Sequence, residues 1–182
     1  MRRPVRRPVR TGTALAAISL AVVGCSQALP LSQAPATQHH LNSAIVLQIV
    51  LSQPSTPAGG CPAGFAKLPP PASQFPGSGE CYRRLGKPLT ITSAAVRYLE
   101  QPAANQHPAS YGLAITVSAA DRKALTAITT KAYRARQSIA TIVAGKTWSV
   151  AAVDAPFTGG FEIPAQSANQ ALRLQRTLIP SA

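Results

Sequence analysis

Acidic residues are scarce in this chain. Five Asp and Glu stand against 18 Lys and Arg and three His in 182 residues. The acids are Glu80, Glu100, Asp121, Asp154 and Glu162, and no two sit together as a general acid/base pair. The histidines are His39, His40 and His107. No GxSxG, HExxH, phosphate-binding loop or Cys–His nucleophile pattern accompanies them, so the sequence points away from an enzyme and from any cofactor. Aromatic residues make up only 5% of the chain, which leaves little to stack on bases. The basic residues are also scattered, and nucleic acid is therefore not an expected partner. There are three cysteines and no CxxC or His cluster beside them, so no metal site is expected. No apolar run reaches the ~20 residues that a membrane-spanning helix needs.

What the chain does have begins at its first residue. MRRPVRRPVR carries five arginines and no acid, and Ala14–Val23 is an uncharged apolar run. A basic start, a short apolar core and a small residue at a cleavage point make a secretory signal peptide. Arg6-Arg7 is followed by Pro-Val-Arg rather than apolar residues, which favours the general export route over a twin-arginine one. Val22-Val23-Gly24-Cys25 resembles the bacterial lipobox. That resemblance implies a diacylglyceryl group on the Cys25 sulfur, acylation in the manner of palmitate, and cleavage after Gly24. The competing reading is an ordinary signal peptide with an incidental cysteine. The expected address is the extracytoplasmic face of the cell membrane, with the membrane lipid itself as first partner.

Five of the 18 basic residues lie in that leader, which leaves 13 against five acids, a net charge of +8 beyond it. Such charge is either a solvated surface or a surface drawn to anionic headgroups, at about 1 kcal/mol per Lys or Arg. With Cys25 assigned to lipid, Cys61 and Cys81 remain, and outside the cytoplasm a pair of cysteines is expected to oxidise. Metal binding is the competing role and lacks further ligands.

The chain is expected to divide into a signal peptide (1–24), a polar, Pro-containing flexible tether (25–42) and one domain (43–182) with a disulfide-closed Pro/Gly-rich loop (54–80). Ala44–Leu51, Ala94–Leu99, Tyr111–Val117, Ser138–Ala144, Thr147–Val153 and Phe161–Ile163 read as strands. Gly145-Lys146 reads as a tight turn, and Trp148 is expected on a sheet face. Ser118 with Asp121, and Ser167 with Gln170, mark the starts of two helices. On the first, Ala124, Leu125, Ile128, Ala132 and Ala135 form the expected apolar stripe, with Arg122, Lys123, Thr126, Thr130 and Arg134 facing away. Thr158-Gly159-Gly160 reads as a place where backbone bends or comes close to something. The expected class is α+β, a mainly antiparallel sheet with two helices packed on one face.

From about Ala44 onward the order of elements resembles the head part of the large extracytoplasmic domain of SecD, the protein-export membrane protein. The resemblance rests on AIVLQIVL, then Cys81-Tyr82-Arg83 leading to LTITSAAV, the helix ADRKALTAITTKAY, the hairpin IATIVAGK–TWSVAAV, and Phe157-Thr158-Gly159-Gly160 before the last helix. The Gly145-Lys146 turn and the TGG run are its most specific pieces. It implies a SecD-head-like, ferredoxin-like βα arrangement, and contact with exported polypeptide or Sec translocase components. Phe157, Thr158, Gly159 and Gly160 would then form the binding loop. The motor is not expected, since SecD has several membrane spans. The alternative is a small-ligand or cell-envelope structural module that reuses the fold.

Overall fold

The structure is a computed structural model, and it describes residues 37–70, 79–103 and 108–179. Cys25, the signal peptide and residues 25–36 of the expected tether lie outside the described residues, as do 71–78 of the long loop and His107.

Among the described residues six strands and two helices follow one another as β1 (His39–Gln53), β2 (Cys81–Gln101), β3 (Ser110–Val117), α1 (Ala119–Arg134), β4 (Ser138–Val143), β5 (Lys146–Ala152), β6 (Gly160–Ala165) and α2 (Ala168–Leu178). The sheet order is β5-β4-β1-β2-β3-β6, and every neighbouring pair is antiparallel. The α+β class and the two helices on one face are therefore as expected. The element order is βββαβββα, so each helix follows three strands.

Two boundaries differ from expectation. The first strand begins at His39, inside the segment assigned to the tether. Leu41 explains this, because it is buried in the main core and pulls His39–Asn42 into the ladder with β2. The second strand begins at Cys81 rather than Ala94 and runs through Gly86 and Pro88, which read locally as breakers. The register shows how. Leu47 faces Leu89 and Ile49 faces Leu85, so Gly86, Lys87 and Pro88 bulge out opposite Gln48. Gly86 takes a left-handed φ of 69°, and Pro88 has no N–H to lose. The buried Gln48 amide donates to the Leu85 and Gly86 carbonyls and so occupies the gap.

β2 also divides the sheet. Cys81 to Ala94 pair with β1, and Ala94 to Gln101 pair with β3. One strand thus joins a four-stranded half (β5, β4, β1, β2) to a three-stranded half (β2, β3, β6). The sheet curls, and its edge strands β5 and β6 approach without pairing.

Leu113, Ile115 and Val117 of β3, Ile45, Leu47 and Ile49 of β1, and Ile163 of β6 share the inner face with Leu125 and Ala132 of α1 and Leu174 and Leu178 of α2. Trp148 joins this core from a bulge in β5, as expected of it. The stripe of α1 is rotated from expectation. Ala124 and Ala135 are exposed, and Thr129 is buried in their place. Its hydroxyl donates to the Leu125 carbonyl, which makes a threonine tolerable inside.

Both helix starts are capped as the sequence suggests. Ser118 Oγ accepts from the Asp121 N–H and donates to the Asp121 carboxylate. Ser167 Oγ accepts from the Gln170 N–H, while Gln170 Oε1 accepts from the N–H of Gln166, one residue before the cap. The β4–β5 turn is Ala144-Gly145 rather than Gly145-Lys146. Both take positive φ, 48° and 71°, the type I′ geometry whose twist suits a two-residue hairpin.

Cys61 and Cys81 are bonded, with Cα atoms 5.5 Å apart. The residues after Cys61 form a strap over the outer face of the four-stranded half. Ala66 exchanges both backbone bonds with Tyr82, Leu68 and Val150 pack against the cluster of Val50, Tyr82 and Ala140, and Thr147 bonds the Pro69 and Pro70 carbonyls. Lys67 reaches back to Ser55 and Gly79, and Arg83 lies over the Phe65 ring.

Candidate functional site

The segment from Phe157 to Gly160 leads into β6 and is held from two sides. Thr126 Oγ1 donates to the Phe157 carbonyl at 2.8 Å, and the Phe157 N–H donates to Thr129 Oγ1 at 3.0 Å. Both threonines sit on the face of α1 toward this loop, so the expected outward placement of Thr126 does not hold. On the other side the Val117 N–H donates to the Gly159 carbonyl. Phe157 and Phe161 stack with centroids 6.1 Å apart, both partly buried against the core.

Gly160 is required where it stands. A Cβ there would lie 2.4 Å from the Ile115 carbonyl oxygen, part of the fixed backbone of β3. Gly159 has only the Arg122 Nε within reach of such a Cβ, at 3.7 Å. The second glycine of the TGG run therefore answers the expectation of close approach, and Thr158 is exposed at the tip.

β6 is an edge strand. The Val117–Gly159 bond fixes the phase of its ladder, because in antiparallel pairs alternate residues turn both backbone groups toward the partner. Phe161 and Ile163 face β3 in this way. Gly160, Glu162 and Pro164 turn theirs outward. Pro164 has no N–H, so two outward donors remain, at Gly160 and Glu162. No backbone bond meets them among the described residues.

Glu162 lies on the outer face of the three-stranded half, in a row with Ala114 and Arg97. Its side chain as a whole is exposed, yet the carboxylate folds over Gly112, where a Cβ would come within 2.7 Å of Oε1. Partial loss of water there raises the Glu162 pKa above the ordinary carboxylate value. Gly112 is thus the second glycine whose bareness matters.

Two shallow depressions lie elsewhere. The larger, ≈ 590 Å³, runs along α1 from Ala119 to Ala127 to Thr158. The other, ≈ 430 Å³, lies between Tyr133, Arg134 and Arg136 and the end of β5 at Ala152 to Asp154. Neither is lined by α2. Among the described residues no group of three or more His, Cys, Asp or Glu is placed to hold a metal ion, and no helix is long and apolar enough to cross a membrane.

No family model matches this chain, and no curated protein or solved structure matches it either.

Proposed function

We propose that this chain is a lipoprotein, anchored by lipid on Cys25 to the extracytoplasmic face of the membrane, that binds extended polypeptide and assists its export or folding without catalysing a reaction. The lipobox-like run supports the anchor. The ordered resemblance to the SecD head, ferredoxin-like in that reading, supports the link to exported chains. The observation that carries polypeptide binding is the unpaired edge of β6, which β5 approaches without closing and which the threonine-held loop presents. An unpaired edge recruits an extended chain through main-chain hydrogen bonds, with side-chain pockets adding selectivity. Both depressions are open and α1 is the one helix that contributes to either, which favours the edge over a small-ligand pocket.

The test is a photo-crosslinker at Thr158 in the membrane-borne protein. Capture of exported chains or Sec components supports the reading. Capture of neither, at a level of labelling that reports on other membrane neighbours, removes it. The anchor is tested separately, since Cys25→Ser should move the protein from the membrane to the soluble fraction and abolish palmitate incorporation.

A further inference from the structure

We propose that the β6 edge selects a strand carrying a basic residue opposite Glu162, flanked on both sides by apolar residues. This rests on the reading of β6 as a peptide-receiving edge.

The geometry sets the length first. Outward donors stand at Gly160 and Glu162, and Pro164 contributes only a carbonyl. A ladder added here therefore spans about five residues of an incoming chain, and Pro164 blunts it at one end. Register then fixes which residue meets which. In an antiparallel addition the residue facing Glu162 shares its outer face. The residues on either side face Phe161 and Ile163 on the inner face, next to the Phe157–Phe161 stack.

Charge supplies the choice at the central position. The Glu162 carboxylate has lost part of its water over Gly112 and has no counter-ion among the described residues. Arg97 shares its row but stands two strands away, roughly 10 Å across the sheet. A residue on the added strand would face Glu162 at about 5 Å and Arg97 from nearly three times that distance. The near carboxylate therefore dominates the far guanidinium, even in a chain of net positive charge. A lysine or arginine is favoured there, and an acid is repelled.

The probes are two fluorescein-labelled nonapeptides with the central run Thr-Val-Lys-Val-Thr or Thr-Val-Glu-Val-Thr, read by anisotropy against the full chain. The lysine peptide should bind roughly tenfold more tightly than the glutamate peptide. Glu162→Gln should shrink that ratio to about twofold. Glu162→Pro removes an outward N–H without touching the β3 ladder and should abolish both. N-methylation of the peptide at its central residue should do the same with the protein unaltered, which covers a variant that fails to fold. Equal binding of the two peptides, still lost on N-methylation, overturns the charge selection and leaves the edge reading intact. Absence of binding by either peptide, or binding that ignores both N-methylation and Glu162→Pro, overturns the edge reading itself.

Discussion

The two halves of the sheet are built to opposite plans. The four-stranded half is covered on both faces, by the helices inside and by the disulfide-tied strap outside. The three-stranded half has the helices on its inner face, while its outer face is a floor of Ala95, Gly112, Ala114 and Thr116 flanked by Arg97, Leu99, Glu162 and Pro164. Small residues make the difference possible. They leave little apolar area that needs cover, whereas Val50, Tyr82 and Val150 demand it. The three-stranded half ends in the β6 edge, which β5 approaches without pairing. Among the described residues, cover lies where the outer face is bulky and is missing where its side chains are small.

The largest effect expected is from removing the cover. Cys81→Ser, or reduction, opens a loop with a sequence separation of 20 and should cost about 3 kcal/mol of unfolding free energy in urea. Amide exchange should quicken most around Val50 and Ala140 and less in β3 and β6; equal acceleration in both halves would dissolve the distinction between them.

Next comes Gly160→Ala, which drives a methyl into the Ile115 carbonyl and should cost about 2 kcal/mol, with faster exchange confined to β3 and β6. Stability unchanged in a thermal melt would show that the edge has slack.

Alkali tests the covered side. Burial and the Glu80 charge push Tyr82 from the usual 10.0 to about 12. The folded state then holds its proton more tightly than the unfolded chain. Stability from this group is complete below about pH 10 and drains away toward pH 12, by an amount on the order of 2 kcal/mol. Urea midpoints at pH 9 and pH 11.5 should differ more in the native protein than in Tyr82→Phe.

The smallest contrast, a difference of about 1 kcal/mol between two variants, is the most direct comparison. Val50→Ala beneath the strap should cost about 2 kcal/mol, and Leu99→Ala on the open floor at most about 1 kcal/mol. A larger loss at Leu99 would mean that something covers the open face.

Local chemistry was legible and distant chemistry was not. Ser118 with Asp121 and Ser167 with Gln170 announce their helices because a cap and its partner lie three residues apart. Tyr111–Val117 alternates visibly because one of its faces is packed. The first half of β2 escapes notice because Gly86 and Pro88 signal a break, and only Gln48, far away in sequence, turns that break into a bulge. Thr126 reads as a polar residue on a solvated face, and nothing nearby in sequence reveals that it bonds the Phe157 carbonyl from 31 residues away. The TGG run does signal a tight approach, but not that Ile115 is what it approaches. The resemblance pointed to Phe157–Gly160 as a binding loop, just ahead of the β6 edge. Its phase, and with it the isolation of Glu162, needed the register.

The position of β1 has a mechanical consequence. It is the first strand among the described residues, yet it lies inside the sheet, with β2 along one side and β4 along the other. A pull on the chain before His39 acts along the strand axis. It loads the hydrogen bonds of two ladders side by side, in shear, rather than unzipping them one at a time as an edge strand would allow. If a lipid tether joins the chain at this point, the fold is hung from the strand best placed to carry load.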